Sequence, residues 1–132
     1  MFVRPLVTQK GSTRAARTGD GLLANPAVYS IAADSAQTIP AAAILGGVVI
    51  HSTHTAARID TTDTAVNILA AMPDMDIGDT FMFVVSAAAG FTITLAGGVG
   101  VTASGNLIVL ALGAKHFILT KTSATTMTLV GL

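Results

Sequence analysis

Thr80-Phe81-Met82-Phe83-Val84-Val85-Ser86, followed after a short link by Gly90-Phe91-Thr92-Ile93-Thr94-Leu95-Ala96, reads as strand, turn, strand. In the second run apolar and hydroxylated residues alternate without a break. Successive side chains of a strand point to opposite faces, so Phe91, Ile93 and Leu95 are expected inward and Thr92 and Thr94 outward. Runs of similar texture occur at 107–112, 115–121 and 126–130, and on the N-terminal side at 27–32 and 45–52. Residues 56–60 offer a further short strand, while Pro40 confines any strand at 37–39 to an edge or an end, because proline donates no ladder hydrogen bond. The links are short and contain Gly, Ser or Ala. Such a series predicts an all-β fold, a compact antiparallel β-sandwich or jelly-roll-like domain, with Phe81, Phe83, Phe91, Ile93, Leu95, Phe117 and Leu119 in its core.

One short helix interrupts the series. Asp63 can cap the free amides of a first turn, 64–72 is mostly good helix formers, and Pro73 ends it. Ala65, Ile68, Leu69 and Met72 then share one face, suited to closing an end of the sandwich. Before residue 26 the texture differs: 11–21 is small, polar and bounded by glycines, with no periodicity. The chain therefore divides into an extended basic N-terminal arm, 1–25, and a β-sandwich domain, 26–132. Residues 1–19 carry Arg4, Lys10, Arg14 and Arg17 and no acid, whereas the remaining 113 residues hold three cations against seven Asp, a balance of 3 − 7 = −4. Every acid is Asp and none is Glu, in keeping with a chain of many turns and little exposed helix.

Composition narrows the function classes. With 132 residues the chain makes one domain. It is 52% hydrophobic and 11% charged, where ordinary domains carry about a quarter charged residues. Mean hydropathy is +0.71, so the body is expected to cover itself by self-association. The longest apolar run, 41–50, is broken by Gly46 and Gly47 and falls short of the roughly 20 residues a membrane helix needs. Arg4 and Pro5 stand where a secretory signal would be uninterrupted, which predicts synthesis in a cytoplasm. There is no cysteine, hence no disulfide and no thiolate chemistry.

The search for a catalytic or metal constellation yields none. No G-x-S-x-G, P-loop or H-E-x-x-H pattern is present. His51 and His54 are three apart, but a strand running through them would turn them to opposite faces, so surface or hydrogen-bonded histidines are expected. Asp74-Met75-Asp76-Ile77-Gly78-Asp79 lacks the closing carboxylate of a calcium loop, since Val85 occupies that place, and is expected as a solvated turn. Gly97-Gly98-Val99-Gly100 leads to strand-like sequence, not to a helix that could hold phosphate, and is expected as a glycine-rich turn. The expectation is a protein that is not an enzyme and has no cofactor and no metal.

The segments Asp63-Thr64-Ala65-Val66-Asn67-Ile68-Leu69-Ala70-Ala71-Met72-Pro73, then 77–85, 90–101 and Gly105-Asn106, together form a pattern that resembles the small β-rich structural proteins of tailed bacteriophage virions. That group includes capsid decoration, or cement, proteins and parts of tail fibres, and the likeness covers about residues 60–132. The resemblance implies a homo-oligomer, most often a trimer, on the capsid exterior of the virion, where it clamps neighbouring subunits of the major capsid protein. A tail or tail-fibre module is the alternative, although no sequence repeat is visible. A carbohydrate-binding module is disfavoured because Tyr29 and five Phe supply few aromatic platforms. On the decoration reading the arm docks on the capsid, with Phe2, Val3 and Leu6 as its apolar part and Arg4, Lys10, Arg14 and Arg17 as anchors. Nucleic acid and membrane are not expected partners, since Phe2 is the arm's one aromatic for base stacking.

Overall fold

A computed structural model describes residues 27–132. The expected arm, with Phe2, Val3, Arg4, Leu6, Lys10, Arg14 and Arg17, lies outside the described residues. These form ten strands and two short helices in the order β1 (Ala27–Ile31), β2 (Thr38–Ile39), α1 (Ala41–Gly46), β3 (Gly47–His51), β4 (Arg58–Thr62), α2 (Ala65–Ala71), β5 (Thr80–Ala87), β6 (Ile93–Ala96), β7 (Val101–Gly105), β8 (Ile108–Val109), β9 (Ala114–Lys121) and β10 (Met127–Gly131). The chain is β-rich, as expected. No described helix is long and apolar enough to cross a membrane.

The strands make a six-stranded sheet, ordered β1-β3-β5-β9-β10-β7, and a four-stranded sheet, ordered β2-β4-β6-β8. From β1 to β9 the chain changes sheet at every strand; only β9 and β10 are consecutive in the chain and paired with each other. The expected antiparallel arrangement is therefore corrected to a mixed one. The ladders β1/β3, β3/β5, β2/β4, β4/β6 and β10/β7 are parallel, and only β5/β9, β9/β10 and β6/β8 are antiparallel. The physical reason lies in the links. A short link suggests a hairpin, but here most links are corners between sheets, and β2, β3, β4 and β5 each serve as the crossover connecting two parallel strands of the other sheet.

A second helix, α1, occupies residues read as the approach and start of a strand. Ala41 to Leu45 are good helix formers, and Pro40, extended at the N-cap, accepts at its carbonyl oxygen from the N–H groups of Ala43 and Ile44. Gly47, at φ 92°, supplies the left-handed residue that ends it. Gly46 permits a close approach of β1: a Cβ there would meet the Ala27 carbonyl oxygen at 2.8 Å. The glycines that looked like interruptions of a strand are thus the boundary between helix and strand.

The helix α2 begins one residue later than expected. Thr64 is the N-cap, its hydroxyl accepting from Asn67 N, while Asp63 accepts from Thr64 N and Asn67 Nδ2 through one oxygen and from Ala41 N through the other. Asp63 thereby ties the starts of both helices together. Ala65, Ile68, Leu69 and Met72 are buried, as their spacing predicts.

One contiguous core draws on both sheets and both helices. Phe81, Phe83, Phe117, Leu119, Ile93 and Leu95 all lie in it, with the rings of Phe83 and Phe117 stacked 5.8 Å apart across the β5/β9 ladder. Phe91 does not: it is 45% exposed and stands in the bend before β6, which starts only at Ile93. Alternation in the sequence runs on past the point where the ladder stops. The run expected at 107–112 likewise shrinks to Ile108–Val109, after which the chain turns at Leu112, whose φ of 59° is left-handed.

Candidate interaction surface

The described chemistry-bearing side chains fall into a sealed cluster and a set of loop charges. His51, the last residue of β3, is fully buried beside Asp60 of β4, with Nδ1 2.6 Å from Asp60 Oδ2. Its Nε2 lies 2.8 Å from the Ala33 carbonyl oxygen. A carbonyl only accepts, so Nε2 carries a hydrogen, and one further proton lies between Nδ1 and the carboxyl. The ring and the carboxyl together carry no net charge. Asp60 Oδ1 accepts from Gln37 N at 3.0 Å, which joins the segment before β2 to the same pair.

His54 comes to the same place. The strand ends at His51, and Thr53, at φ 64°, reverses the chain, so the opposite-face expectation for His51 and His54 is corrected. Both rings are buried, edge to face with centroids 4.8 Å apart, and His54 Nε2 donates to the Phe91 carbonyl oxygen at 2.8 Å. Of the two alternatives expected, surface or hydrogen-bonded, His51 and His54 are hydrogen-bonded and buried, but their shared face and the Asp60 partner carry no sequence signal. Asp60 is nine residues from His51, with neither motif nor spacing to connect them. An imidazole next to a carboxylate can serve as a general base, but here both His51 nitrogens are occupied and the ring is closed to a substrate. The cluster pins the corners between sheets. Among the described residues no group of three or more His, Cys, Asp or Glu side chains is placed to hold a metal ion.

The exposed counterpart is Asp34. Its carboxylate accepts from Thr55 N at 2.8 Å, from the Thr55 hydroxyl, and from Arg58 Nη2 at 2.8 Å. The Thr55 hydroxyl, the Arg58 guanidinium and the Thr55 N–H hold the Asp34 carboxyl well below the usual carboxylate range. The Asn67 amide, aided by Ala41 N and Thr64 N, lowers that of Asp63 against a smaller opposing effect of burial. A depressed carboxyl stabilises the fold above its unfolded value, about 3.9, and that contribution is lost as pH falls through the lower folded value. The melting temperature should therefore fall as pH is lowered from about 5 towards 2, and Asp34→Asn should flatten the fall. Parallel acid profiles for wild type and variant would speak against the Asp34 clasp.

The most distinctive surface is the outward face of the six-stranded sheet. Alternation and register place there Val28 and Ser30 of β1, Val48 and Ile50 of β3, Thr80, Met82, Val84 and Ser86 of β5, and Ala114, His116, Ile118 and Thr120 of β9. Thr128 and Val130 of β10 and Thr102 and Ser104 of β7 complete it. Among these described positions there is no Asp, Glu, Lys or Arg. Val28-Val48-Val84 and Met82-Ile118-Val130 form apolar rows across the ladders, none of them fully buried. Apart from Asp60, buried inside β4, the charged residues stand at strand ends and loops: Asp34, Arg58, Asp63, the turn at 74–79, and Lys115 and Lys121 near the ends of β9. That turn is held by Lys121 Nζ donating to Met75 O and by Asp79 Oδ2 accepting from Asp76 N. Composition predicts an apolar association surface, and strand register is what gives its location. No family model, curated protein or solved structure matches the chain.

Proposed function

We propose that the protein is a structural, self-associating β-sheet component of a bacteriophage virion and not an enzyme. Within that class we favour a capsid decoration protein that binds the exterior of the shell and clamps neighbouring major capsid subunits. The observation that supports assembly is the outward face of the larger sheet, free of Asp, Glu, Lys and Arg across its described positions in a body whose exposed charges stand at loops and strand ends. The likeness of residues 60–132 to small virion proteins supports the choice of setting. The two sheets are read as halves of a sandwich, since one core draws on both. The decoration reading gives the arm residues Phe2, Val3, Arg4, Leu6, Lys10, Arg14 and Arg17 the capsid contact. A tail or fibre module is the second reading, favoured by the stepwise parallel order β1-β3-β5 beside β2-β4-β6, an arrangement that stacks readily into longer coils.

Labelling purified virions with an antibody against the protein tests both readings. Label over the capsid faces is expected; label at the tail would select the second reading, and unlabelled particles that lack the protein would remove both.

A further inference from the structure

The outward face of the six-stranded sheet carries the inference furthest. Sheets built wholly of parallel strands are found almost exclusively with both faces covered, because each strand then has two apolar sides to bury, and half of this mixed sheet is of that kind. The β1-β3-β5 part of this sheet is parallel, its inner face lies on the core, and none of the outward residues named above is fully buried. That face shows Val28 and Met82 at 60% and 50% exposure beside Val48, Ile50, Val84, Ile118 and Val130, with serine and threonine hydroxyls around them.

We infer that this face packs against the same face of a second copy of the chain, about a twofold axis. The self-pairing rests on charge and area. A partner with charged groups would have to bury them without counter-charges, whereas a second copy brings no Asp, Glu, Lys or Arg and, as its one ionisable group there, His116, so near neutral pH the face suits itself. Six strands about 4.8 Å apart and about 17 Å long give a footprint of roughly 450 Å², and the corrugated accessible area is larger. Two copies together would bury on the order of 1,000 Å², the size at which a specific interface begins. Two sheets in such a pair lie about 10 Å apart, their strands crossing at a small angle. Near the middle of the face stand Met82 and Val84 of β5 and His116 and Ile118 of β9, paired across the ladder. The inference rests on the self-association reading and adds its surface and its symmetry.

Sedimentation of the full chain at micromolar concentration is the test, with Met82→Lys and Val84→Lys on the face and Ile59→Lys on the outer side of the smaller sheet as control. The wild type should be a dimer. Either face variant should raise the dimer dissociation constant at least about a hundredfold while the control leaves it unchanged. A dimer that survives both face variants, or a wild-type trimer, overturns the twofold face pairing while leaving self-association standing; a wild-type monomer overturns both. If a lysine variant does not fold, cross-linking decides. The chain has no cysteine, so Met82→Cys or Ile118→Cys introduces a single thiol, and a bis-maleimide reaching across about 10 Å should join two copies. No covalent dimer at either position would overturn the pairing.

Discussion

His51→Ala should lower the stability of the protein by about 3–5 kcal/mol, the size expected when one partner of a buried ion pair is removed and the other is left behind. The substitution leaves Asp60, itself fully buried, with Oδ2 unpartnered, and deprives the Ala33 carbonyl of its donor. Asp60→Asn should be far milder, about 1 kcal/mol. An asparagine oxygen can still accept from Gln37 N, and its amide can donate to Nδ1 of a His51 ring that keeps its hydrogen on Nε2. Urea unfolding of the two variants reads both values. A His51→Ala loss below about 1 kcal/mol would mean that the pair is neither sealed nor coupled as the geometry has it.

The second large effect concerns the stacked rings. Phe117→Ala should cost about 3–5 kcal/mol, because Phe117 is fully buried and its removal leaves a cavity against Phe83 in the centre of the β5/β9 ladder. Phe91→Ala should cost under about 1 kcal/mol, since half of that ring already faces solvent and its contribution is the edge contact to His54, with centroids 6.5 Å apart. The pair of variants separates two phenylalanines that the sequence pattern treats alike. Equal losses would show that the bend before β6 is wrongly placed.

That contrast marks how far the sequence could be read. Strand texture, the inward faces of β5 and β9 and the buried face of α2 were legible, because period-two and helical spacing report directly on which side chains are covered. Phe91 falls outside the core although the alternation includes it, because alternation says nothing about where hydrogen bonding begins. The helix at Ala41–Gly46 was missed because five apolar residues before a glycine pair suit a buried strand as well as a short helix; Pro40 and the left-handed Gly47 decide it. Strand direction was out of reach for a different reason. A short link looks the same whether it folds back in one sheet or turns the corner into another. Of the candidate surface, the scarcity of charge was evident from composition, but its concentration on one face follows from register. The His51–Asp60 contact depends wholly on the β3 and β4 ends meeting in space.

The alternation of the chain between sheets also governs how the protein can reach its native state. The β9/β10 hairpin can form by itself, from residues joined by a link of a few residues. Every other ladder encloses at least one strand of the opposite sheet, so each must close a loop that holds that strand. Loop-closure entropy is then spent early on distant pairings, which slows folding into the millisecond-to-second range typical of chains dominated by non-local contacts. Because one core draws on both sheets, loss of structure should be a single event in which both go together. In stopped-flow refolding, substitutions in the β9/β10 hairpin should slow folding, and those in β2 or β8 should mainly speed unfolding. A chain woven in this way resists unravelling one sheet at a time, a property that matters to any protein whose task is to hold other things together.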